Sequence, residues 1–344
     1  MCSSDLKISV ISTILFQILP ILIAWVYGPR LMWLLAAALA SRAVALVILW
    51  LHCHREILAG HAVKAAWSTI RALLGYGGWV SFNALIGPVL VIVDRFAIGA
   101  VLGATAVAYY TVPFQIAKRI AILPSALNNA LFPKLTVASP DQAAELGQKA
   151  LATVVSAITP PVLVAVLFIE PFLQLWVGDK VASLAAPTGR VLLIGYWLNA
   201  LALVPFTRLQ ASGRPNVVTY ILLMQIPFYL AALYFGMVKF GLVGCALALA
   251  ARFGLDLAMQ QRGATGRLEG LSIIILPLGL LCAASLVFTV WSYGEFAGWA
   301  CAFALIIASL IHAWRSAPAD LRQLVNSMAT KLTLRFGRIG GRAS

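Results

Sequence analysis

Long apolar runs separated by short polar breaks recur along the whole chain, most of them 17 to 25 residues and so long enough to cross a hydrocarbon core of about 30 Å as a helix. The pattern predicts about ten spans, near 8–27, 31–51, 73–93, 104–133, 150–169, 188–207, 216–236, 240–259, 271–291 and 296–314. Trp25, Tyr76, Trp79, Trp176, Tyr220, Trp291, Trp299 and Trp314 fall near the ends of these runs, where amphipathic rings favour the headgroup level. The connections are short, the longest running from Cys53 to Ala72, so no soluble catalytic domain fits between spans. Function has to be built inside the bundle.

Composition agrees with that pattern. Hydrophobic residues make up 62% of the 344 and charged residues 10%, against about 25% charged in soluble domains, so length counts membrane spans rather than soluble domains. The fold class expected is an all-α polytopic membrane helix bundle. A net charge of +14 raises the question of nucleic acid, but the basic residues are scattered between apolar runs and gather on no soluble face. They sort by side instead. Sixteen Lys and Arg fall at one set of span ends, among them Arg71, Lys134, Lys149, Arg208, Arg214 and Arg262, and only Arg30, Arg95, Lys180 and Lys239 at the other. The positive-inside rule then places both termini in the cytoplasm and turns the Asp94 connection outward. The tail after Arg315 reads as a solvated basic segment at the inner leaflet.

Conventional catalytic chemistry finds little to work with. The five cysteines show no CxxC spacing, the four histidines lie in loops or at span ends, and no metal-ligand cluster is evident, so no cofactor or metal is expected. Phosphate-cradling loops, dinucleotide fingerprints and nucleophile elbows are absent. What remains is a short set of ionisable groups within or beside spans: Arg42, Asp94 with Arg95, Lys118 with Arg119, Arg190, and Arg252 with Asp256. Arg42, near the middle of its span, needs a wet interior or a carboxylate partner on another helix. Asp94 and Arg95 follow an uncharged run of about 21 residues that reaches the outer interface, so a local ion pair at headgroup level is the cheaper reading and a ligand contact the other. Lys118 and Arg119 fall near the centre of a single helix if 104–133 is unbroken, and at the cytoplasmic surface if 96–117 is the span. Adjacent helical positions diverge by about 100°, so in the first case one of the pair faces a cavity and the other braces it.

The opening residues stand apart. Cys2 to Leu6 match the translation of TGC TCT TCC GAT CT, a common sequencing-adaptor end, so "MCSSDLK" is expected to be non-native and the protein to continue N-terminally.

Four stretches in order then carry a resemblance: Gly78-Trp79 with Asn83 and Pro88, "DRFAIG" from Asp94 to Gly99, "VAYYTVPF" from Val107 to Phe114, and "LQASGRP" from Leu209 to Pro215. Over roughly residues 70 to 260 the chain resembles Wzx-type polysaccharide flippases of the multidrug/oligosaccharidyl-lipid/polysaccharide exporter superfamily. The resemblance implies a two-lobed, alternating-access transporter of twelve to fourteen helices in the bacterial inner membrane, and no enzyme. Its substrate would be an undecaprenyl-diphosphate-linked oligosaccharide, with membrane lipid, a polysaccharide polymerase and glycosyltransferases as partners and no nucleic acid. In that family the DRF-like motif follows about six spans, whereas here it follows two, which implies about four helices missing. The organisation expected is 1–7 non-native, 8–72 the last helices of the first lobe with a linker, 73–260 the second-lobe core, 261–314 a C-terminal helix pair and 315–344 a basic tail. Arg42, Asn83, Asp94, Arg95, Tyr109, Tyr110, Lys118 and Arg119 are the candidate substrate-binding residues: cations for diphosphate, amide and phenol groups for sugars. A drug or cation antiporter or a peptidoglycan-precursor flippase of the same superfamily is the alternative; a membrane glycosyltransferase or polymerase is disfavoured by the short outer loops.

Overall fold

The computed structural model describes Phe16, residues 18–25, Gly28, and residues 31–57, 67–266, 271–291, 293–319 and 321–323. The expected non-native start and most of the basic tail lie outside the described residues. No strand occurs among those described; the chain is a succession of helices. It divides into two compact units, Met1–Arg71 and Ala72–Ser344.

In the first unit residues 18–25 are helical and α1 spans Leu31–Ile57. Its apolar surface is almost wholly exposed, as expected of a helix clothed by lipid, and only 11% of its apolar window is buried. Arg42 answers the cost of charge at this position locally, its guanidinium lying 4.6 Å from the Phe16 ring centroid.

The second unit contains α2 (Trp67–Leu102, begun in the first unit), α3 (Ala104–Lys118), a 3-10 turn at Arg119–Ala121, α4 (Ile122–Val137), α5 (Pro140–Val177), α6 (Asp179–Ala211), α7 (Pro215–Thr265), α8 (Leu271–Val290) and α9 (Phe296–Ser316). Every span expected between 31 and 314 has a helical counterpart, but several helices run well past the apolar core of the pattern. At 1.5 Å per residue the 36 residues of α2 and 38 of α5 extend about 54 and 57 Å, beyond the hydrocarbon layer. The polar ends are helical because their amphipathic turns pack on neighbours and are capped: Ser139 accepts from the Gln142 backbone N–H while the Gln142 side chain accepts from the Ser139 N–H, with Pro140 at the first helical position.

Antiparallel hairpins build the unit. α2 turns into α3 at Gly103, and α5 into α6 at Gly178. The 51 residues of α7 are themselves a hairpin, broken at Gly241 (φ 58°, ψ −135°), a conformation that residues bearing a Cβ avoid. Across it Gly236 meets Gly244 backbone to backbone: a Cβ at Gly236 would stand 2.7 Å from the Gly244 carbonyl oxygen, and one at Gly244 would overlap the Gly236 carbonyl. The spans expected at 216–236 and 240–259 are the two arms of this hairpin.

α6 is the hub. It packs against α3, α4, α5 and α7, and 72% of its apolar window is buried compared with 28% of α7. Small buried residues such as Ala185, Ala186, Gly189 and Ala200 let the neighbouring backbones close in, the usual means of packing where lipid gives no hydrophobic drive. Trp197, fully buried on α6, donates its indole N–H to Thr159 of α5 at 3.1 Å. The helix pair α8–α9 docks on α5 through a polar knot: Arg190 of α6 pairs with Glu170 of α5 at 2.7 Å and donates to the Tyr293 hydroxyl at 3.3 Å, and Tyr293 donates to the Leu167 carbonyl. Phe288 stacks on Tyr293 at 4.1 Å and Trp299 closes the box. Burial pushes the Tyr293 phenol above its ordinary value. Arg190, a candidate functional cation on sequence grounds, is thereby a structural one.

Gly244→Ala should cost roughly 1–3 kcal/mol through overpacking against a backbone that cannot yield, read as a lower melting temperature in detergent. Gly254→Ala, whose Cβ would meet only the Leu198 side chain at 3.6 Å, should leave it unchanged or slightly raised. Arg190→Gln leaves Glu170 unpaired and should loosen the α8–α9 turn, seen as faster hydrogen exchange around residues 291–299 with little change in α6.

Candidate functional site

Two features in the second unit concentrate polar groups. The first lies where α2, α3, α6 and α7 meet. Asp94 of α2 is fully buried, accepts from the Tyr110 hydroxyl of α3 at 3.1 Å and from the Arg95 backbone N–H at 2.9 Å. Arg95 does not pair with it: its guanidinium lies 4.2 Å from the Phe114 ring centroid. Phe114 contacts Tyr196 of α6 edge-on, and Tyr196 contacts Phe253 of α7. On the far side Arg252 lies over Tyr229 at 5.1 Å and over Phe253 at 5.6 Å. Each arginine of the cluster is thus held on aromatic faces instead of on an acid.

The reading of Asp94 and Arg95 as an ion pair at headgroup level is therefore corrected. α2 does not end at Val93; it continues to Leu102, so Asp94 sits about two turns inside a helix. There the hairpin brings α3 against it, and Tyr110 supplies the donor that water would supply at an interface. Arg252 and Asp256 also part company: Asp256 accepts from the Gln225 amide at 3.2 Å across the α7 hairpin.

The second feature is a pair of joined cavities of about 310 and 350 Å³ that share Leu203, Phe206 and Gln210 of α6. Asn83, Asn199, Asp256 and Gln260 line one; Ser125, Asn128, Asn129 and Thr207 line the other. Asn83 is set by its amide donating to the Thr219 hydroxyl at 2.7 Å, which leaves its carbonyl oxygen buried without a partner. Both side-chain polar atoms of Asn128 and the Gln260 carbonyl oxygen are likewise buried and unpartnered. Each such group costs about 1–3 kcal/mol if nothing meets it.

Lys118 and Arg119 resolve an alternative left open by the sequence. The backbone is helical from Ala104 to Val137 with a single 3-10 turn at Arg119–Ala121, so the pair lies midway along one rod, about 21 Å from Ala104, and both side chains are exposed. The amide-lined cavity at Asn128 lies about 15 Å further along the same rod. Tyr109 is half-buried and takes no part in the Asp94 cluster, and Arg42 belongs to the first unit.

A family model described as "Polysaccharide biosynthesis protein" matches residues 3–186, more than half of the chain. The chain belongs to this polysaccharide biosynthesis protein family. The curated "Putative O-antigen transporter" of Shigella flexneri is 29% identical over 236 residues, 68% of this chain and 56% of that protein. The chain thus spans about half the length of the curated relative it matches. No solved structure matches. With its succession of long apolar helices, this member of the polysaccharide biosynthesis family is a multi-pass membrane protein.

Sequence reasoning on this family member missed Tyr196, Tyr229, Asn199, Gln210, Gln225 and Gln260. One signal was available for part of that set. Gln225 and Asp256, and Tyr229 and Arg252, are both centred on the Phe240–Gly241 junction, so folding the chain there pairs them.

A double-mutant cycle measures the Asp94–Tyr110 bond. Tyr110→Phe should cost about 1.5–3 kcal/mol of stability in detergent, as for a hydrogen bond to a charged group, but under about 1 kcal/mol in an Asp94→Leu background. Equal costs in both backgrounds would remove the carboxylate from the account.

Proposed function

We propose that this chain is part of a transporter that moves undecaprenyl-diphosphate-linked oligosaccharide units across the bacterial inner membrane for surface polysaccharide synthesis, without covalent chemistry. The observation that carries the reading is the pair of neighbouring cavities lined by amides, Asn83, Asn199 and Gln260 on one and Asn128 and Asn129 on the other, with Gln210 on both. Sugars are dense in hydroxyls, each a donor and an acceptor, and amides complement both. A diphosphate needs cations, and Lys118 and Arg119 offer them, exposed midway along the α3–α4 rod. The separation of about 15 Å along the rod suits a lipid-linked head whose diphosphate and distal sugars are bound together. The family membership and the printed name of the Shigella relative support the same cargo.

Arg95 and Arg252 have a different part in this reading. Stacked on Phe114 and on Tyr229 with Phe253, they help to hold the packing of α2, α3 and α7. Rocking of packed helix bundles would expose the cavity to either leaflet in turn. The basic span ends would face the cytoplasm, where newly assembled lipid-linked glycan and the polymerase and glycosyltransferases that handle it are reached.

Expression of the full gene in a host lacking its own flippase, with the matching glycan genes, tests the reading by surface polysaccharide at equal membrane protein levels. Lys118→Ala with Arg119→Ala should lower surface polysaccharide at least tenfold, and Asn128→Ala with Gln260→Ala several-fold. Unchanged polysaccharide in both variants would sink the assignment, and altered drug resistance in its place would favour the antiporter.

A further inference from the structure

The "LQASGRP" stretch is not used by the cavities above, yet it is a tightly fixed corner. Leu209 and Pro215 are buried, the Ser212 hydroxyl and the Arg214 N–H both donate to the Leu209 carbonyl at 3.0 Å, and Gly213 turns the chain at φ 73°. The turn separates two arginines that line one cavity of about 440 Å³: Arg208 at the end of α6 and Arg214 at the start of α7. Thr136 at the end of α4, Pro140 and Ala143 at the start of α5, and Ser212 complete the wall used here. The stem of Arg208 lies along α5 at Gly147, with Cδ 3.6 Å from where a Cβ would stand. Arg214 is pinned by donating to the Gly263 carbonyl at 3.3 Å, which uses only part of its five-donor fork.

We propose that this corner binds a phosphate group, carried by an anionic lipid headgroup or free in solution. Arg208 and Arg214 bring two guanidinium groups to one cavity wall, and a guanidinium fork meets phosphate oxygens bidentately. No carboxylate lines the cavity; on the adjoining face of α5, Glu145 is tied to Lys149 at 2.6 Å and Asp141 is exposed. The wall residues lie within a few positions of the ends of α4, α5, α6 and α7, the level at which headgroup phosphates lie beside a spanning bundle. The site is separate from the amide-lined cavities and does not require that they carry glycan.

Native mass spectrometry of the purified full-length protein in neutral detergent, with phosphatidylglycerol or phosphatidylcholine added at limiting concentration, tests the site. Arg208→Gln with Arg214→Gln should lower retention of phosphatidylglycerol at least tenfold and leave phosphatidylcholine unchanged. Ser212→Asp, an exposed turn substitution that places a carboxylate on the cavity wall, should give the same loss, and decides the matter if the double variant fails to fold. Lys134→Gln with Lys149→Gln, on the neighbouring basic surface, should stay within twofold of the parent. Thermal protection by inorganic phosphate that vanishes in the corner variants assigns free phosphate as a ligand; protection by lipid alone assigns the headgroup. Equal phosphatidylglycerol retention in parent, double variant and Ser212→Asp, with no phosphate-dependent protection, overturns the proposal, as does an equal loss in the lysine control.

Discussion

Charge inside a hydrocarbon layer has to be met by the protein itself, and the ways in which this chain meets it organise the second unit. Asp94 takes a phenol, Arg190 takes a carboxylate and a phenol, and Arg95 and Arg252 take aromatic faces. Stacking on a ring satisfies a guanidinium less completely than a carboxylate does, worth about 2 kcal/mol when desolvated. It also leaves N–H groups over: Arg95 Nε and both Nε and Nη1 of Arg252 are buried without a hydrogen-bond acceptor. A ring can slide under a guanidinium where an ion pair would have to break, so contacts of this kind fix the packing less rigidly than an ion pair does.

The hairpins follow from the same demand. Backbone polar groups in lipid are satisfied only within helices here, so each turn has to be short and placed at a helix end. Antiparallel return brings the two arms of a hairpin face to face, and the polar pairs Asp94–Tyr110, Glu170–Arg190 and Gln225–Asp256 each join the two arms of one hairpin. α6, with small residues on several sides, is the surface on which these hairpins are assembled.

Polar groups of two kinds are thus kept apart. Charged and aromatic groups between α2, α3, α6 and α7 fix the packing, though several of their N–H and O–H groups stay unpartnered. Amide side chains such as Asn83, Asn199, Asn128 and Asn129 line the two cavities on α6 instead.

The all-α class and the apolar helices expected between 31 and 314 were legible in the sequence, because hydropathy and helix length are local properties that lipid enforces strictly. Helix ends were legible only to within several residues: α2 runs from Trp67 to Leu102 and α5 from the Ser139 cap to Val177, past the apolar runs that hydropathy reports. Partner choice was not legible at all. Whether Asp94 meets Arg95 or Tyr110, whether Arg190 faces a cavity or Glu170, and which amides share a cavity depend on which helix faces touch. Those contacts are set by small-residue packing around α6 and by the folding back of α7 at Gly241, long-range features that only the tertiary structure decides.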